Sequence, residues 1–142
     1  MEKRKMTARE FLRQGQWVNE EIESKTRQLN TLWDYSASPG GYRGGEHVVV
    51  SRKTDGMENR VLKVMEAEEE LQQYVERLVE LRMEIGKVIN QVEDPIKRLI
   101  LEKKYLFFMS WKSIKEEMGR SIRWMQKKHG EALEEVQEIL DI

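Results

Sequence analysis

Apolar positions recur along this chain with a helical period, and two long stretches carry the signal most clearly. Heptad positions 8, 11, 15, 18, 22, 25, 29 and 32 read Ala8, Phe11, Gly15, Val18, Ile22, Lys25, Leu29 and Leu32, seven of eight apolar or small. That spacing predicts an amphipathic helix running to about residue 35. Its start is marked by Thr7 followed by Glu10, the spacing of a capping box in which each side chain satisfies an amide the helix leaves unpaired. A second periodic stretch begins at Val61, and positions 61, 64, 68, 71, 75, 78, 82, 85, 89 and 92 are apolar at eight of ten places. A helix over about 58–93 would be close to 50 Å long, at roughly 1.5 Å per residue.

A rod of that length cannot bury its stripe alone. The simplest solution is a long antiparallel coiled-coil hairpin, with the Phe11 helix folded against the Val61 helix. Leu62, Met65, Val79, Leu81 and Val88 widen the second apolar face beyond one seam, which asks for a further helix from the C-terminal region or from another copy of the chain. A homo-oligomer is therefore expected, with a dimer favoured. Between the helices, residues 36–57 hold five of the nine glycines and one of the two prolines, and are expected to form a long connection. The Val48-Val49-Val50 run has strand composition but no second strand to pair with, and His47 is expected to be solvated.

Asp94 and Pro95 punctuate the chain, aspartate being a good N-cap and proline tolerated at the first helical position. A new helix is expected there, with Ile96, Leu99, Ile100 and Leu106 on its apolar side. Ser110 is placed to cap a helix over 111–118, Gly119 supplies positive φ at a tight turn, and Ser121 caps the last helix. Helix, short turn, helix is the layout of a helix-turn-helix. On the last helix Ile122, Met125, His129, Ala132, Leu133, Val136 and Leu140 share one side, so His129 reads as a packed core histidine. Trp111 lies on an apolar side and reads as core. Trp124 falls opposite the apolar stripe, where it could meet thymine methyls or sugar edges, or fill a protein interface. The expected organisation is an all-α chain with a helical hairpin over 1–93 for oligomerisation and a helix-turn-helix domain over 94–142.

Charge changes this picture. The 142 residues carry a formal net charge of −1, yet residues 95–130 hold ten Lys or Arg against three acids. Residues 1–94 are mildly acidic, and the last twelve residues carry five acids and no base. A basic block on a helix-turn-helix layout points to double-stranded DNA as partner, with the basic first turns of the last helix in the major groove. In that reading Arg123 and Lys127 reach base edges or phosphates, Arg120 and Lys128 reach phosphates, and Lys112 and Lys115 meet the flanking backbone. Ser121 and Trp124 complete the candidate DNA-binding set.

The remaining composition mainly excludes. With no cysteine there is no disulfide, thiolate metal site or cysteine nucleophile. The two histidines fall in a loop and on a core stripe, and the carboxylates have helix-surface spacing, so neither an enzyme nor a metal or other cofactor is expected. No apolar run approaches the length of a membrane span, and residues 1–13 lack the apolar core of a signal peptide, so an intracellular protein without membrane contact is expected.

The run DPIKRLILEKKYLFFMSWKSIKEEMGRSIRWMQKKHGEALEEV resembles the region-four-like helix-turn-helix of bacterial sigma factors. Ser110-Trp111, Ile114, Met118-Gly119, Ser121, Arg123, Met125, His129 and Ala132-Leu133 carry the likeness. The whole chain resembles small phage and prophage proteins that join an N-terminal helical hairpin to such a C-terminus, akin to ArpU and RinA-type late transcription regulators. The resemblance implies a phage-encoded transcription regulator in the cytoplasm of a bacterial host, and leaves open a small terminase-like DNA-packaging subunit or a protein that binds host RNA polymerase with little DNA contact. Two departures stand out. Lys115 occupies a place where such motifs put alanine against the partner helix, which is expected to open the helix pair slightly. Ser113 replaces the glutamate of a capping box, which is expected to weaken the cap.

Overall fold

In the computed structural model, which describes residues 6–37 and 53–142, the chain is helical and no strand occurs among the described residues. The long helices are α1, Ala8–Ala37, and α2, Lys53–Ile89. Three shorter ones follow: α3, Pro95–Leu101, α4, Trp111–Met118, and α5, Ile122–Leu140. A π-helical turn, Glu102–Leu106, prolongs α3. The Val48–Val50 run, His47 and most of the expected connection lie outside the described residues.

The start of α1 follows from the capping box. Thr7 N–H donates to Glu10 Oε1 at 2.9 Å, and Glu10 N–H donates to Thr7 Oγ1 at 3.1 Å. The Ala8 amide donates to Gln137 Oε1 at 2.8 Å, which ties this end of α1 to α5. Helix α2 departs from expectation at both ends. It begins at Lys53, inside the expected connection, and stops at Ile89 rather than near 93. The early stop has a local cause. Gln91 N–H and Val92 N–H turn back to the carbonyls of Val88 and Ile89 at 3.0 Å, a tightened last turn. The carbonyls of Val92 and Glu93 then accept from Arg98 Nη1 at 2.6 and 2.8 Å, so they are satisfied without helix. Asp94 caps α3 by accepting from the Ile96 amide at 2.9 Å, with Pro95 at the first helical position as expected.

The chain groups into two compact units, one made of Met1–Asn19 with Leu78–Ile142 and the other of Glu20–Arg77. The first holds most of the core. Leu12, Ile85, Ile89, Val92, Ile100, Leu101, Ile114, Met125 and Val136 are all fully buried there. Leu12 lies off the heptad row of α1, so the buried face of α1 in this unit is wider than a single seam. Arg82, a polar member of the α2 row, donates to the Leu106 carbonyl and lies 6.0 and 5.8 Å from the ring centroids of Phe107 and Phe108.

The second unit is thinner. Leu29 and Val64 are its buried apolar residues among those described, while Trp33, Val61, Leu62 and Met65 are exposed. Lys25 sits in the apolar row of α1 yet is explained by its partners. Its ammonium pairs with Glu70 at 2.7 Å and lies 5.0 Å from the Tyr74 ring centroid. The hydrogen bond to Glu70 raises the Lys25 pKa above the ordinary lysine value. Of the residues expected to need a further helix, Leu81 is buried and Val88 half-buried, whereas Leu62, Met65 and Val79 stay exposed along with Met83. No helix among the described residues is long and apolar enough to cross a membrane.

Candidate nucleic-acid interface

Helices α4 and α5 are set by three local signals, all at the expected positions. Ser110 Oγ accepts from the Ser113 amide at 3.2 Å and caps α4. Gly119, at φ 66° and ψ 28°, ends it in the left-handed region, with its N–H donating to the Lys115 carbonyl at 2.8 Å. Ser121 Oγ accepts from the Trp124 amide at 3.1 Å and caps α5. Where a capping-box glutamate would reach back, Ser113 Oγ instead accepts from the Ser110 hydroxyl at 3.2 Å. The cap is thus extended by a hydroxyl rather than a carboxylate.

Ile100, Ile114 and Met125, one from each of α3, α4 and α5, form a buried cluster that fixes these helices against one another. Met109, Trp111, Met118, Ile122 and Trp124 surround it as partly buried neighbours. Two expectations are corrected here. Lys115 is exposed, and Ile114 beside it makes the contact with the neighbouring helices, so the lysine does not wedge the pair apart. Trp124 is not opposite the core. It packs partly onto the cluster, with the Arg120 guanidinium 4.9 Å and the Lys128 ammonium 5.8 Å from its ring centroid. Its angle around an ideal helix understates the reach of an indole, which covers the turn before its own Cα.

The basic block divides according to its partners. Lys97 pairs with Glu135 at 2.9 Å and lies 3.7 Å from Glu131, and the hydrogen bond to Glu135 raises its pKa. Lys103 pairs with Glu117, and Arg98 is occupied by backbone carbonyls. Lys128, expected at a phosphate, is half-buried with Glu131 at 3.5 Å. Of the six that remain, Lys104 is half-buried beside the Trp111 ring, and Lys112, Lys115, Arg120, Arg123 and Lys127 are all exposed and in no ion pair among the described residues. These five cations come from α4, the turn after Gly119 and the first two turns of α5. Ser121 is exposed beside them, its oxygen committed to the cap.

On its other side α5 carries His129, buried as expected. Its Nε2 lies 2.6 Å from the Tyr105 hydroxyl, its ring stacks on Tyr105 at 5.6 Å, and Trp111 meets it edge-on at 5.0 Å. Burial, with the nearby Arg9 and Lys104 charges, lowers its pKa to about 4. The imidazole is therefore neutral at physiological pH, and its tautomer sets whether Nε2 accepts from the Tyr105 hydroxyl or donates to it. Burial also raises the Tyr105 pKa, which keeps the hydroxyl protonated. Arg9 and Arg13 of α1 were not signalled by the sequence as neighbours of this pair, because nothing in local spacing places residues so far apart in the chain together. No family model, no curated protein and no solved structure matches this chain.

Proposed function

We propose that this protein is a phage-encoded DNA-binding transcription regulator. In this reading α4 and α5 act as a sigma region-four-like helix-turn-helix, and α1 and α2 as an antiparallel hairpin that mediates self-association in the cytoplasm of a bacterial host. The observation that carries the reading is the separation of charge. Acidic partners occupy Lys97, Lys103 and Lys128, while Lys112, Lys115, Arg120, Arg123 and Lys127 remain together without them. Uncompensated cations on two rigidly capped helices are what a phosphate backbone recognises. Arg123 and Lys127 are assigned to base edges or phosphates, and Lys112, Lys115 and Arg120 to phosphates. Trp124 shapes the surface by supporting the Arg120 guanidinium.

The test is retention of source-genome fragments at physiological salt, followed by affinity for the enriched duplex as a function of salt. Each phosphate contact contributes about −0.9 to the log–log slope, so an Arg123→Ala/Lys127→Ala chain is expected to lose the discrete site and flatten the slope by roughly 2 if both meet phosphates. An affinity independent of salt would refute the reading. If the chain instead co-purifies with host RNA polymerase after nuclease treatment and retains no duplex, its partner is the polymerase.

Exposed apolar residues on α2 favour self-association. Val61, Leu62 and Met65 form one exposed group at helical spacing and Val79 with Met83 another. Light scattering at tens of micromolar is expected to give a dimer mass. A closed ring of more copies would move the assignment to a small terminase-like packaging subunit, which uses the same parts. A monomer mass would overturn self-association.

A further inference from the structure

A pocket of about 220 Å³ lies where α1, the π-helical turn, α4 and α5 meet, at the Tyr105–His129 pair. Three cations line it, Arg9 and Arg13 from α1 and Lys104 from the π-helical turn, and among the described residues no carboxylate does. Arg9 and Arg13 are one helical turn apart on the same face, an unfavourable like-charge spacing. Lys104 is half-buried, with only the Met109 carbonyl at 3.5 Å and the Trp111 ring at 5.1 Å beside its ammonium. Burial and the charge of Arg13 hold its pKa below the ordinary lysine value. None of the three is in an ion pair among the described residues. His129 contributes no charge to relieve or add to this crowding, since its ring is held neutral.

Three positive groups around one space, without a counter-charge, oppose each other unless an anion joins them. Guanidinium forks match the paired oxygens of a phosphate, and an ammonium adds a point charge to the same site. The volume sets the size of the ligand. Pockets for drug-sized molecules run from about 300 Å³ upward, so this one suits a small ion rather than a nucleotide. Its position separates it from the α4–α5 cations. His129 follows Lys127 by two residues, which at roughly 100° per residue puts it on the opposite side of α5.

We propose that this pocket is a binding site for a small oxyanion of the phosphate class, held by Arg9, Arg13 and Lys104 and distinct from the cation surface of α4 and α5. The inference does not rest on the DNA-binding reading.

Isothermal titration of the full chain with inorganic phosphate is expected to show saturable binding, together with a rise in thermal midpoint that chloride at equal ionic strength does not give. Arg9 and Arg13 are exposed, so an Arg9→Gln/Arg13→Gln chain is expected to fold normally and bind phosphate at least tenfold more weakly. The Arg123→Ala/Lys127→Ala chain should bind phosphate like the parent. Equal stabilisation by chloride, or undiminished phosphate binding by the Arg9→Gln/Arg13→Gln chain, would overturn the proposal. Duplex binding by the same variant separates the two sources of phosphate. Retention at the parent level assigns the pocket to a free oxyanion, as proposed. Loss of duplex binding in a chain whose parent ignores inorganic phosphate overturns it and makes the pocket a seat for a backbone phosphate.

Discussion

Ile114→Ala is expected to lower the unfolding free energy of the unit that contains it by about 2–5 kcal/mol. Ile114 is fully buried, and it belongs to a cluster that joins α3, α4 and α5. Truncation removes the transfer free energy of the lost methyl and methylene groups and leaves a cavity between Ile100 and Met125. The half-buried Met109 and Met118 have the flexibility to relax into that space, and the extent of their movement decides where in the range the cost falls. Urea denaturation followed by far-UV circular dichroism measures it. Lys115→Ala, one residue along but exposed, is the matched control and should change stability by no more than about 0.5 kcal/mol. If the two substitutions cost the same, the cluster is not what holds α4 in place. Duplex binding should follow the same order, because the five exposed cations keep their spacing only while this cluster is intact.

The second large effect is loss of stability in acid. His129 has a folded pKa of about 4 and an unfolded reference of 6.5. Between those values the unfolded chain takes up a proton that the folded chain refuses. Stability attributable to this group is therefore complete above pH 6.5, falls as the pH is lowered through the window, and is gone below about 4. The full loss is about 2–3 kcal/mol, allowing for water at the mouth of the pocket. Protonation would also bring a fourth cation beside Arg9, Arg13 and Lys104. Carboxylate titration adds to the slope at the acid end, so the comparison is with His129→Gln, which keeps a polar group at the site and cannot titrate. A flatter stability profile between pH 6.5 and 4 in that variant is expected whatever its starting stability. Parallel profiles would show that His129 does not govern the transition.

Much of the local structure is legible along the chain because its causes are local. Thr7 with Glu10, Asp94 before Pro95, Ser110, Gly119 and Ser121 each act within four residues, and each does in the fold what its spacing predicts. The heptad row of α1 likewise places Ala8, Gly15, Val18 and Leu29 at buried positions. What escaped the sequence depends on neighbours distant in the chain. The π-helical turn, in which Phe107 N–H donates to the Glu102 carbonyl at 3.0 Å, is followed by Phe108 at φ 55°, and no local residue type announces either. The Leu106 carbonyl there is satisfied by Arg82, 24 residues earlier. The candidate interface was legible in composition but not in detail. Ten basic residues could be counted, yet their sorting into paired and unpaired groups depended on Glu117, Glu131 and Glu135 arriving from other turns. The oxyanion pocket could not be read at all, because no local spacing brings Arg9 and Arg13 beside Lys104 and His129, about a hundred residues later.

The better packed of the two compact units is assembled from both ends of the sequence, Met1–Asn19 with Leu78–Ile142. During synthesis, the turns of α1 that carry Leu12, Arg9 and Arg13 emerge before Leu78–Ile142 and must wait for the chain that buries them. At roughly 5–20 residues per second, the intervening Glu20–Arg77 segment alone takes several seconds to make. Through that interval the apolar face of the nascent α1 is open to the ribosome surface and to chaperones. The oxyanion pocket can form only after the residue that closes it, His129, has left the exit tunnel.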